Sequence, residues 1–189
     1  MTQRCYQGSA FLLPEQPPSV VCIGRFDGVH LGHQALMAQG RALADQLGVS
    51  LTVLCFDPHP NALFGRPVPM PLTSIDRRFE LFQRYGATDC LCLTFDADFA
   101  ALSWRAFLDS ILVQCLQVQG VVVGHDFRFG SGRLGTVDCL KTWGEQQGVS
   151  IRIVSPIRHK GRLISTSWCR DCLMQRDHFV LAQLLGRTD

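Results

Sequence analysis

The stretch Val20-Val21-Cys22-Ile23-Gly24-Arg25-Phe26-Asp27-Gly28-Val29-His30-Leu31-Gly32-His33 decides how the rest of the chain is read. Val20–Ile23 is a short, wholly apolar run, the pattern of a strand buried on both faces. Gly24 and Gly28 interrupt it. From about Gly32 to Leu47 the residues are helix formers with apolar positions spaced for one face. Two histidines three apart fall at the first turn of that helix. A helix start presents unpaired N–H groups and a partial positive charge, which suits an anion, and two imidazoles add donors for phosphate oxygens. The plainer alternative is a turn in which His30 caps the helix and His33 packs against it. A glycine-marked strand-to-helix turn carrying both histidines favours phosphate chemistry.

Outward from this turn the chain alternates. Buried strands are expected at Ser50–Phe56, Cys90–Phe95, Gly120–Gly124 and Val149–Val154. Helices are expected from Thr73 or Ser74 to Tyr85, over Ser103–Leu116, and from Thr136 to Gln147, the first and last closed by Gly86 and Gly148. Asn61–Pro71 reads as a proline-rich loop and Arg158–Ile164 as a small hairpin. Ser165–Leu173 and Asp177–Leu185 read as two closing helices. Residues 1–19 carry little order signal, with Pro14, Pro17 and Pro18 holding the approach to the first strand extended. Alternation at this spacing predicts an α/β fold with a doubly wound parallel sheet. The unusual sequences, Gly24–His33, Asp57–Pro60 and Gly124–Gly135, all follow strands. They should therefore meet at the carboxyl edge of one sheet, beside a topological switch point.

Composition narrows the class. The chain has 189 residues, 47% of them hydrophobic and 18% charged, with a formal net charge of +2. That is the make-up of one soluble domain, residues 1–189, with no nucleic acid or membrane as its partner. No apolar run nears the ~20 residues of a membrane span, and the N-terminal segment lacks the form of a secretory signal. A cytoplasmic location is expected, with the nine cysteines reduced. Most of them lie in apolar stretches. Cys169 and Cys172 form a C-x-x-C without a second ligand pair, so they are expected in the core and no metal site is assigned.

Three further strings carry chemistry. Phe56-Asp57-Pro58-His59-Pro60 reads as a rigid strand exit, with Phe64 shortly after it. Gly130–Gly135 spells G-x-G-x-x-G, but no acid follows the next strand to hold a ribose, which argues against a pyridine-nucleotide enzyme. Just before it, Phe127 and Phe129 are placed on one strand face and Arg128 on the other; that aromatic face meets either a ligand or the core. Ser165-Thr166-Ser167 with Arg170 offers more donors than a helix cap needs.

Gly24-x-Phe26-Asp27-Gly28-Val29-His30-x-Gly32-His33 resembles the signature of the bacterial FAD synthetases, within the nucleotidyltransferases that share His-x-Gly-His. The resemblance extends to Phe56–Pro60 with Phe64, to Val123–Gly135 with Asp126 at an Asn/Asp position, to Ile164–Arg170 and to Leu184–Arg187. Arg25 departs from it, since the family most often has Asn there. The resemblance implies a Rossmann-like nucleotidyltransferase fold and FMN adenylyltransferase activity, which joins FMN to the AMP part of ATP and releases pyrophosphate, with Mg²⁺ accompanying the ATP. It implies that His30 and His33 are catalytic. Gly24, Phe26, Asp27, Gly28, Ser165, Thr166, Ser167 and Arg170 then bind ATP, and Pro58, His59, Pro60, Phe64, Asp126, Phe127 and Phe129 bind flavin. Two alternatives stay open: another small-molecule nucleotidyltransferase on the same scaffold, or a non-catalytic flavin- or nucleotide-binding remnant. Bifunctional members continue into a riboflavin kinase domain. Such a domain is not expected within residues 1–189 and is the expected partner if the chain is a piece of a longer protein.

Overall fold

In the computed structural model of the chain, residues 4–10 and 16–188 are described. Five of the six strands of the main sheet coincide with the apolar runs: β2 (Ser19–Ile23), β3 (Ser50–Asp57), β4 (Asp89–Thr94), β5 (Val118–Gly124) and β6 (Ser150–Val154). The sixth, β1 (Arg4–Gly8), lies where the sequence gives no strand pattern. It is an edge strand, held by parallel pairing of residues 4–8 with Asp89–Leu93. Pro14 lies outside the described residues. The strand order is β1-β4-β3-β2-β5-β6, and every neighbouring pair runs parallel.

Side chains alternate between two cores, as a sheet covered on both faces requires. Val20, Cys22, Leu51, Val53, Cys90 and Cys92 face α1 (Leu31–Leu47) and α3 (Ile75–Arg84), where they meet Met37, Leu43, Leu81 and Phe82. Val21, Ile23, Leu54, Leu91, Val121 and Val123 face the opposite layer. That layer contains α4 (Ala97–Ala101), α5 (Trp104–Ala106) with its continuation Phe107–Cys115, and α6 (Val137–Gln147). The sheet is thus doubly wound, as expected.

Several boundaries differ from the sequence reading. Asn61–Pro71 opens with one helical turn, α2 (Pro60–Leu63), capped by His59. The helix expected over Ser103–Leu116 begins with Ser103 as its cap, but Phe107–Cys115 is wound as a π-helix, with Leu116 N–H donating to the Ile111 carbonyl at 3.0 Å. Residues 127–128 are not strand, and Phe129 makes only a single bridge to Gly135. The hairpin β7–β8 (Arg158–His159 and Arg162–Leu163) leads into α7 (Thr166–Met174) and α8 (His178–Leu185). Cys169 and Cys172 are buried there with Ile164, Leu184 and Leu185, and burial pushes both thiols up, Cys169 to about 12. They pack as small apolar side chains. No helix among the described residues is long and apolar enough to cross a membrane.

Candidate active site

The chain crosses from the β2-β3-β4 side of the sheet to the β5-β6 side, so the switch point lies between β2 and β5. The loops after β2, β3 and β5 emerge there side by side. The last rung at β2 is Gly24 N–H to the Leu54 carbonyl, 3.1 Å. Three of the next five residues have positive φ: Phe26 at 52°, Gly28 at 80° and Val29 at 42°. Such a backbone is costly for Phe and Val and needs outside support.

That support is visible atom by atom. The Phe26 ring is fully buried, 5.2 Å from the His33 ring and 5.5 Å from Phe82, and Val29 is buried as well. Arg78 donates to the Arg25 carbonyl (3.2 Å). Arg187 donates to the carbonyls of Gly28 (2.7 Å) and Val29 (3.0 Å), and Gln34 adds a bond to Val29 (2.9 Å). The Asp27 carboxylate accepts from the backbone of Leu72 (2.9 Å) and Thr73 (3.1 Å) and pairs with Arg170 at 2.8 Å. Gly28 N–H donates to Thr73 Oγ1 (3.0 Å), and at its φ a side chain would be strained and would overlap Leu72.

Asp27 is therefore a fastener. Its oxygens are occupied by protein donors, and an anion would repel phosphate. Arg170, expected on phosphate, donates Nη2 to Asp27 and Nε to the Met70 carbonyl (2.6 Å), so two of its donors are already engaged. Ser165 is the N-cap of α7, accepting from Trp168 N–H (3.3 Å), and Thr166 donates to the Asp27 carbonyl (3.4 Å). Ser167 is exposed.

The two histidines form one unit. His30 is the N-cap of α1, its Nδ1 accepting the His33 N–H at 3.4 Å, and the rings stack at 3.7 Å with 16° between planes. Gly32 makes this possible, since a Cβ there would stand 3.1 Å from the His30 ring. With Nδ1 accepting, neutral His30 carries its proton on Nε2. Only 6% of His30 is exposed, and burial lowers its pKa to about 4. Burial also lowers His33 well below 6.5, helped by His30 and by the charge of Arg25. The plainer capping role of His30 thus holds, but it does not exhaust the pair. His33 Nδ1 is buried without a hydrogen-bond partner, an orphan that a ligand would satisfy.

Beyond β3, His59 Nδ1 accepts from Asn61 N–H (3.0 Å), while its Nε2 is a second buried orphan. Burial lowers its pKa, with Arg25 and Arg170 adding to the effect. Phe64 follows, 57% exposed, its ring 6.5 Å from Phe95. From Phe95 a row of rings runs through Phe99 (5.6 Å), Phe107 (6.0 Å) and Phe129 (5.7 Å) to Phe127 (5.3 Å). Phe127 and Phe129 stack with 18° between planes, so they do share a side although they are not in a strand. Phe129 is buried and belongs to the core, Phe127 is half-buried, and Asp126 is exposed. Pro58 and Pro60 bracket His59, the first after a cis Asp57–Pro58 peptide, the second opening α2.

The sequence reading missed Arg78 and the fastening roles of Asp27 and Arg187. For Arg187 the one hint was its place in Leu184-Leu185-Gly186-Arg187; Arg78 has none, being one cation of an amphipathic helix.

A solved structure described as a macrolide-efflux protein from Streptococcus pneumoniae superposes with a TM-score of 0.86 at 23% identity, covering 99% of this chain and 60% of that one. A pantoate–β-alanine ligase from Francisella tularensis, solved with an ATP analogue and β-alanine, gives 0.54 at 12% identity, covering 97% and 85%. At such identities the likeness is one of fold, here the Rossmann-like α/β sheet. In sequence, the bifunctional riboflavin kinase/FMN adenylyltransferase of Pseudomonas fluorescens is 36% identical over 176 residues, 93% of this chain and 57% of that protein. The chain spans 55–57% of the length of the curated relatives it matches. Residues 13–168 match the FAD synthetase family, and the chain belongs to that family.

Proposed function

We propose that the chain is an FMN adenylyltransferase, transferring AMP from MgATP to FMN to give FAD and pyrophosphate. The observation that carries this reading is the stacked His30–His33 pair at the start of α1, with an orphan nitrogen on His33. In the reaction an oxygen of the FMN phosphate attacks the α-phosphorus of ATP in line. A new P–O bond forms, the bond from the α-phosphorus to the bridging oxygen breaks, and pyrophosphate leaves with those electrons. A phosphate monoester is already anionic at neutral pH, so no general base is required. Positioning and charge stabilisation supply the catalysis.

His30 and His33, neutral when free, donate to the triphosphate beside the Phe26 backbone, with Gly24 and Gly28 shaping the turn that holds them there. Ser165, Ser167, the backbone N–H of Thr166 and the remaining donors of Arg170 take the leaving pyrophosphate. Pro58, His59, Pro60, Phe64, Asp126 and Phe127 border the flavin, with Phe129 behind Phe127. The described residues contain no group of three or more His, Cys, Asp or Glu placed to hold a metal ion. Mg²⁺ is implied by the ATP chemistry and would enter with the nucleotide, held largely by phosphate oxygens and water. Residues 1–189 act as one module in the cytoplasm, with ATP and FMN as substrates and a riboflavin kinase, attached or separate, as the source of FMN.

Purified protein incubated with FMN and MgATP should form FAD and pyrophosphate in equal amounts, measured by chromatography and a coupled phosphate assay. His33→Ala should stay folded and lose roughly two orders of magnitude or more in rate, the scale of one preorganised donor. No FAD from the unaltered protein, or near-normal turnover in a folded variant, would sink the reading.

A further inference from the structure

Three arginines surround the first residues after β2, and they are not equivalent. Arg170 sits against Asp27 and the Met70 carbonyl. Arg78 holds the Arg25 carbonyl and lies 4.0 Å from Asp57. Each has a carboxylate beside it. The Arg25 side chain is exposed and makes no hydrogen bond or ion pair among the described residues. With both carboxylates already facing another guanidinium, Arg25 is the surplus cation of the cluster.

Its place is specific. Arg25 follows β2, and the neighbours of β2 are β3 and β5, whose loops carry Pro58–Phe64 and Asp126–Phe129. At the same sheet edge His33 and His59 each have one buried ring nitrogen without a partner. An unpaired guanidinium at the sheet edge that also carries the orphan His59 nitrogen describes a site for a multiply charged oxyanion.

We infer that Arg25 binds the phosphate monoester of the acceptor flavin, at the junction of the loops after β2 and β3. This rests on the FMN adenylyltransferase reading. The start of α1 is then left to the triphosphate. A planar guanidinium fork matches a terminal phosphate better than an ammonium does. The reaction also needs a cation at this point, because it drives one phosphate anion against another. Arg25 thus makes the phosphate the handle by which the chain tells FMN from riboflavin.

The test is to titrate the whole chain, Arg25→Gln and Arg25→Lys with FMN and with riboflavin, following flavin fluorescence, and to measure FAD formation in parallel. Because the side chain makes no hydrogen bond or ion pair among the described residues, both variants should fold as the unaltered protein does. Arg25→Gln should weaken FMN binding and raise its KM by about ten- to a hundredfold, the scale of charged hydrogen bonds to one phosphate. Riboflavin binding and the KM for ATP should stay unchanged, and kcat should move less than KM. Arg25→Lys should recover part of the loss. The inference falls if folded Arg25→Gln binds FMN normally, loses FMN and riboflavin alike, or changes only the KM for ATP. If the unaltered chain binds neither flavin, it falls as well. Arg25-dependent FMN binding without FAD formation would uphold it and remove the adenylyl-transfer reading instead. FAD formation with unaltered Arg25→Gln kinetics would do the reverse.

Discussion

The loops after β2 and β3 leave the same sheet edge one strand apart, yet they are built in opposite ways. In residues 24–30 the carbonyls at 25, 27, 28 and 29 each accept from a side chain on another element, and Phe26, Asp27 and Val29 are buried. In residues 58–71 the bonds are mostly local, such as Asn61 Nδ2 to the Pro67 carbonyl at 2.8 Å, with the Arg170–Met70 bond as a distant tie. Phe64, Val68 and Met70 are each more than half exposed. The difference is the one the proposed ligands would require. Charge developing on phosphate is stabilised by donors that need not reorganise, so that loop is fixed beforehand. A flat ring is bound by apolar area, which has to remain uncovered until the ring arrives.

The sharpest way to break the comparison is to release the fixed loop. Asp27→Ala leaves Arg170 largely buried without its carboxylate and frees the backbone of Leu72 and Thr73. Removing one partner of a buried pair costs about 3–5 kcal/mol. Urea denaturation should show that loss, and Asp27→Ala with Arg170→Met should recover part of it. A loss below about 1 kcal/mol, the range of an exposed pair, would mean that other contacts hold the loop.

A pH scan probes the same loop more gently. His30 has a folded-state pKa near 4 against 6.5 unfolded, so protonation favours the unfolded chain. Its contribution is fully present above pH 6.5 and is lost as pH falls toward 4. Its size is about 3 kcal/mol. His33 is lowered too and acts in the same direction. Stability measured between pH 7.5 and 4.5 should fall more steeply in the unaltered protein than in His30→Asn, which keeps a capping oxygen but cannot titrate. Parallel slopes would show that His30 is not buried neutral.

The smallest effect belongs to the open loop. Phe64→Ala removes a ring that packs loosely against Phe95, so stability should change by less than about 0.5 kcal/mol. Flavin binding should weaken by about 0.5–1.5 kcal/mol, the scale of one aromatic pair, read as a severalfold rise in the KM for FMN. A large loss of stability would show that the loop is packed after all.

What could be read from the sequence divides along similar lines. Apolar runs such as Val20–Ile23 name buried strands because burial on both faces leaves no other composition. Gly48, Gly148 and Gly186 mark helix ends because each holds a left-handed backbone there. Strand β1 has no such mark, as Arg-Cys-Tyr-Gln-Gly is specified by pairing with β4 and not by its own pattern. Phe107–Cys115 contains neither proline nor glycine, so nothing in it announces the π-helical winding. At the site, the positions after β2, β3 and β5 were legible, but the duties of the charged residues were not. Asp27 and Arg170 are 143 residues apart, and Arg187 reaches Gly28 across 159. Charges that meet only in three dimensions leave no local spacing to detect.

That same reach sets an order in time. As the chain is made from its N-terminus, the loop after β2 emerges early; after the nearby bond from Gln34, its next ties, at Leu72, Thr73 and Arg78, follow within fifty-odd residues of the sequence. Thr166, Arg170 and Arg187 arrive only after β6, when every strand of the sheet has been synthesised. A nascent chain can therefore hold its complete sheet while the loop proposed to meet phosphate is still half-secured, and the last tie to become available is a single arginine at position 187.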